Sequence, residues 1–103
     1  MNNIQELQDV IRKLHGCFAK HVETVPIVES HEGETVWEGE VEVFDLADHP
    51  KASRVYAWAH ETDEPGSLRT VTVLHVPPIT SPRKAVQASI VQAFREAEAN
   101  AEG

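Results

Sequence analysis

Residues 35–46 read TVWEGEVEVFDL, and their alternation decides the fold. Trp37, Val41 and Val43 fall on one face, and Glu38, Glu40 and Glu42 on the other. A period of two is the signature of a half-buried β-strand, because successive side chains leave opposite faces of the pleat. Phe44 and Leu46 break the pattern by sharing the parity of the glutamates. They imply a bulge, or a strand end that something covers.

Working outward, two more strands follow. Residues 53–61 (SRVYAWAHE) and 68–76 (LRTVTVLHV) have strand composition, and Pro77-Pro78 stops the second. Asp48-His49-Pro50-Lys51 and Asp63-Glu64-Pro65-Gly66 carry turn chemistry, which makes the three strands an antiparallel meander. On the N-terminal side, residues 21–29 (HVETVPIVE) read as a weak strand that Pro26 demotes to a sheet edge, joined through a turn at His31-Glu32-Gly33-Glu34.

Both ends change period. Ile4, Leu7, Ile11, Leu14 and Phe18 recur at spacings of three and four, the stripe of an amphipathic helix. Asn3 is a good N-cap with Glu6 three residues on, and the helix is expected to end between Gly16 and Lys20. Ser81-Pro82 opens a second helix, with Ser as N-cap and Pro in the first turn. Val86, Ile90, Ala93, Phe94 and Ala97 form its stripe, and its end from Asn100 is expected to fray. The expected fold class is α+β, with residues 1–103 as a single domain. It is a two-layer helix, antiparallel meander of three to four strands, helix, with both helices on one face of the sheet.

Charge is unevenly placed. The chain carries a net charge of −8. Nine acidic residues and no Lys or Arg lie between His21 and Pro50, whereas Lys51–Lys84 holds five basic residues against three acidic ones. Such a balance disfavours non-specific attachment to nucleic acid or anionic lipid. The lone Cys17 forms no intrachain disulfide, which fits a cytoplasmic setting. The first residues lack the basic and apolar regions of a signal peptide, and no apolar run is long enough for a membrane span.

The order of elements and two local motifs bring up a resemblance to the double-stranded RNA-binding domain. His49-Pro50-Lys51-Ala52-Ser53-Arg54-Val55-Tyr56 resembles that family's Gly-Pro-x-His-x-x-x-Phe turn, with Pro50 matching, Ala52 in the place of His, and Tyr56 in that of the core Phe. Ser81-Pro82-Arg83-Lys84-Ala85, continued by Ala93 and Phe94, resembles the opening of the family's second helix; Pro82 and Val86 stand where lysines are expected. The resemblance covers about residues 36–98 in layout and implies an α-β-β-β-α fold. It also implies contact of His49, Lys51, Arg54, Arg83 and Lys84 with RNA phosphates.

Against that stand other readings. Glu38, Glu40 and Glu42 could form a docking face for a protein partner, though alternating glutamates are more often the solvated side of a strand. Tyr56 and Trp58 share one strand face and Val55, Ala57 and Ala59 the other. The aromatic pair is either core or an exposed patch for a partner, and its area favours the core. His15-x-Cys17-x-x-x-His21 lacks the ligands for a closed metal site, so no metal or other cofactor is expected. No nucleophile elbow or phosphate loop occurs; Asp45 and Asp48 could pair as acid and base, but a turn aspartate more often caps its own backbone. The expected function is a non-enzymatic binding module for protein interaction, assembly or self-association. The alternative is weak double-stranded RNA or ribonucleoprotein binding.

Overall fold

The alternation of residues 35–46 produces one strand of a four-stranded antiparallel sheet in a computed structural model of the chain, which describes residues 2–61, 66 and 68–102. Side chains of Glu61, Leu68 and residues 94–102 lie outside that description, and so do the turn at Asp63–Pro65 and the packing of Phe94. The order is α1 (Ile4–His15), β1 (Ala19–His31), β2 (Glu34–Leu46), β3 (Arg54–Glu61), β4 (Leu68–Leu74) and α2 (Pro82–Glu102). The strands lie side by side in chain order. This is the expected α+β class, with the weak strand around 21–29 grown into a full edge strand. Pro26 sits within that edge, opposite Glu40.

Local chemistry sets the boundaries. The Glu6 N–H donates to Asn3 Oδ1 at 3.1 Å, and Gly16 ends α1 in the left-handed region at φ 68. Glu32 and Gly33 both have positive φ, 52 and 81, which suits the two-residue hairpin loop between β1 and β2. The Lys84 N–H donates to Ser81 Oγ, the expected cap of α2. That helix continues to Glu102, past the point where fraying was expected.

The helices do not share a face. Leu7 and Ile11 of α1 pack with Phe44, Leu46, Val55 and Ala57. Ala85 and Val86 of α2 pack with Val41, Val43, Tyr56 and Trp58. These two sets alternate along β2 and along β3, so they lie on opposite faces of the sheet. The chain is therefore layered helix, sheet, helix, and the expected one-sided arrangement is corrected. Phe44 and Leu46 lie on the glutamate face because α1 covers them, and the register irregularity beside Phe44 falls in β1, between His21 and Glu23. Val55 and Ala57 are small enough for α1 to approach closely, while Tyr56 and Trp58 fill the α2 side; all four are buried.

Parts of each expected stripe stay out of the core. Leu14 and Phe18 are 63% and 67% exposed. The turn at Gly16 swings the chain into β1 and seats Cys17 in the α1 cluster instead. Phe18 carries the Arg12 guanidinium 4.4 Å above its ring. In α2, Ala85 and Val86 are buried, Ile90 is half-buried and residues 91–93 are exposed. Among the described residues, the helix thus meets the core through its first turns.

Candidate functional site

The sheet is continuous at one end and split at the other. β1 pairs with β2 along nearly its full length, and β3 pairs with β4 from Val55–Leu74 to Glu61–Leu68. Between β2 and β3 the ladder covers only Glu42–Ala57 to Asp45–Arg54. Beyond it the two hairpins diverge as separate arms. On the α2 side they leave a groove of about 870 Å³ between the arms and the later turns of the helix. Val36 and Trp37 line it from β2, Trp58 from β3, Val71 and Val73 from β4, and Ile90 from α2; Glu38, His60 and Arg69 also border it.

The tryptophans mark its floor. Trp37 and Trp58 meet edge to face with ring centroids 5.6 Å apart and planes at 76°, a favoured aromatic geometry. Gly39 makes room for this pair: a Cβ there would lie 3.1 Å from Trp37 Cη2. A glycine inside an alternating strand is the kind of signal that marks such a close approach.

At the root of the split lies a polar cluster. Glu42 is 2% exposed, so it is not part of the solvated acidic face. Its Oε1 accepts from the Thr24 hydroxyl and lies 2.9 Å from His21 Nε2, and its Oε2 accepts from Asn2 Nδ2 at 2.9 Å. Burying a carboxyl group is costly unless its oxygens are satisfied, and here both are. Asn2 reaches further: Nδ2 also donates to the Glu40 carbonyl at 2.8 Å, and Oδ1 accepts from the Ala59 N–H at 2.9 Å. Asn2 and Thr24 carried no recognisable motif in the sequence, and His21 stood out only in the His15-x-Cys17-x-x-x-His21 group, because the partners they meet here are remote along the chain.

The expected partner surface divides accordingly. Glu38 and Glu40 are exposed, with Glu38 on the groove rim. Glu42, Tyr56 and Trp58 are buried, which removes them from any open patch, although Trp58 still floors the groove. Burial raises the pKa of the Tyr56 phenol above its ordinary value, the Arg54 charge opposing, and its hydroxyl pairs with His75 Nδ1.

The five residues of the expected RNA contact are not brought together. Arg54 pairs with Asp45 at 3.2 Å on the β2–β3 end of the sheet, beside the turn that holds His49 and Lys51. His49 faces its own turn, with Nδ1 accepting the Lys51 and Ala52 N–H groups. Arg83 pairs with Glu29 at 2.7 Å and donates to the Val28 carbonyl, next to Lys84. Val28 is opposite Glu38, seven positions along β2 from Asp45, a strand length of about 23 Å. Both arginines are thus partly neutralised, in two separate places.

Among the described residues no group of three or more His, Cys, Asp or Glu is placed to hold a metal ion, and no helix is long and apolar enough to cross a membrane. Comparison with family models, with characterised proteins and with solved structures returned no match.

Proposed function

We propose that this chain is a non-enzymatic binding module of the cytoplasm that takes an apolar, basic-flanked segment of a partner protein into the groove between α2 and the diverging hairpins. The groove itself carries the reading. It is largely apolar and open to solvent, with Ile90 and Ala93 of α2 along one wall. Pockets of this kind, an apolar floor with a few polar groups at the edge, are the default binding site of a small domain. The β1–β2 flank favours a basic segment: Glu38 on the rim and Glu32 and Glu34 at the tip of the same hairpin are exposed, with Arg69 on the β4 side as the one opposing charge among the described lining residues.

A defined peptide pair tests it. One twelve-residue amphipathic peptide carries leucines on one face and lysines on the other, and its counterpart carries glutamates for the lysines. Both tryptophans of the chain line the groove, so their fluorescence reports binding. The lysine peptide should bind with a dissociation constant of about 10 µM, and its counterpart at least about tenfold more weakly. Val36→Glu, at a groove residue that is 44% exposed, should abolish binding without altering the fold. Equal binding by both peptides, or by the Val36→Glu variant, would refute the reading. Binding of a small apolar dye alone would make the groove a small-molecule pocket instead.

A further inference from the structure

We infer that the Asn2 carboxamide is a wedge inserted into the β2–β3 ladder and that it holds the groove open. The register carries the argument. The observed pairs run Asp45–Arg54, Phe44–Val55, Val43–Tyr56 and Glu42–Ala57. Two residues further along the same ladder, Glu40 would face Ala59. These are the two residues whose backbone groups Asn2 binds, the Glu40 carbonyl through Nδ2 and the Ala59 N–H through Oδ1.

A carboxamide has the donor and the acceptor of a peptide group. Placed in series between the strands, it satisfies both backbone groups while keeping them apart, so the ladder stops without leaving orphans. The wedge is itself pinned. Its Nδ2 also donates to Glu42, which Thr24 and His21 hold from β1. Asn2 is therefore fixed to β1 and β2 on one side and to β3 on the other.

The groove follows from this spacing. Beyond the wedge the arms diverge, Trp37 and Trp58 have room to meet edge to face, and the space beneath α2 opens. Without the carboxamide, the Ala59 N–H and the Glu40 carbonyl are each other's nearest ladder partners. Their direct pairing would draw the arms together and narrow the groove. The inference concerns the groove's shape and does not depend on what fills it.

Asn2→Ala tests it on the full chain, with Asn2→Ser as a second variant whose hydroxyl is too short to bridge the gap. Amide exchange of Ala59 is followed by NMR, together with cross-strand contacts between Glu40 and Ala59. An apolar dye, anilinonaphthalene sulfonate, probes the groove. If Asn2 is the wedge, Ala59 stays protected within about tenfold in either variant, because it now pairs with Glu40. The cross-strand contact appears, and dye affinity falls by at least about fivefold. Exchange of Ala59 faster by on the order of a hundredfold, with no cross-strand contact, would overturn the inference and leave the Trp37–Trp58 pair as the spacer. Unchanged dye affinity would overturn it as well. Failure here leaves the peptide result with Val36→Glu intact, so the two ideas fail separately.

Discussion

Val43 and Phe44 are neighbours in β2, both have no exposed surface, and they belong to different cores. Val43 sits under α2 with Tyr56 and Trp58, and Phe44 under α1 with Leu7 and Ile11. A sheet covered on both faces buries successive residues of its central strands, which a sheet with one open face does not.

Separate cores make the first prediction. Phe44→Ala should cost about 3–5 kcal/mol and Val43→Ala about 2 kcal/mol, each from lost burial and a residual cavity. The side chains share no core cluster, so the double variant should be additive within about 0.5 kcal/mol. Urea denaturation measures all three. If one face were open, one of the single changes would cost less than about 0.5 kcal/mol.

Glu42 should behave unlike the other glutamates of its strand. Glu42→Ala removes the acceptor for Asn2 and Thr24 and the neighbour of His21, and should cost about 1–3 kcal/mol. Glu38→Ala and Glu40→Ala, at exposed positions, should stay within about 0.5 kcal/mol of the parent chain. The same denaturation series ranks the three, and equal costs would mean that Glu42 is as solvated as its neighbours.

Gly39 is held by space, not by backbone conformation. Gly39→Ala brings a Cβ to 3.1 Å from Trp37 Cη2, and the ring must tilt by a few tenths of an ångström. Trp37 is only half-buried, so it can yield. Stability should change by less than about 1 kcal/mol, since lost chain entropy in the unfolded state offsets the contact. The tryptophan emission spectrum should shift. A large stability loss with unchanged emission would show that the ring is locked.

Stability should depend on pH through His15. Its pKa is lowered, first by burial and second by His49, whose ring lies 5.8 Å away edge to face. Its Nε2 is buried without a hydrogen-bond partner among the described residues. Above the ordinary value of 6.5 both folded and unfolded chains are neutral at this site, and it contributes nothing. As pH falls below that value the unfolded chain takes up the proton first, so stability declines until the folded form is protonated too. Urea midpoints at about pH 7.5 and about pH 5.5 bracket this window, and His15→Gln should reduce the difference between them. An unchanged difference would assign the pH dependence to other groups.

Duplex RNA should bind poorly. With Arg54 and Arg83 each paired to a carboxylate and well separated, few cations remain to displace counterions. A 20-base-pair duplex should bind more weakly than about 10 µM at physiological salt in an anisotropy titration. Submicromolar binding that falls steeply with salt and disappears in an Arg83→Ala, Lys84→Ala variant would promote the RNA reading.

Local pattern carried the elements. The alternation of residues 35–46, the Asn3 and Ser81 caps, Gly16 and the Glu32-Gly33 loop act through neighbours in sequence, so the strands, the helices and the meander order were legible from the chain. The glutamate-face position of Phe44 and Leu46 already held the clue to a second covered face. What reads as a covered strand end is a whole helix, because period two says which residues share a face and not what packs on it. The edge role of Pro26 was legible for the same local reason.

Tertiary structure alone decided the site. Asn2 meets Glu40, Glu42 and Ala59 across separations of 38, 40 and 57 residues, and Arg83 meets Glu29 across 54. No periodicity spans such distances. Glu42 reads like Glu38 and Glu40 in an alternating strand, and only the approach of β1 and Asn2 takes it out of water. The groove exists because two hairpins with sound local patterns fail to zip together. That failure depends on one carboxamide brought to the ladder by the fold of the whole chain.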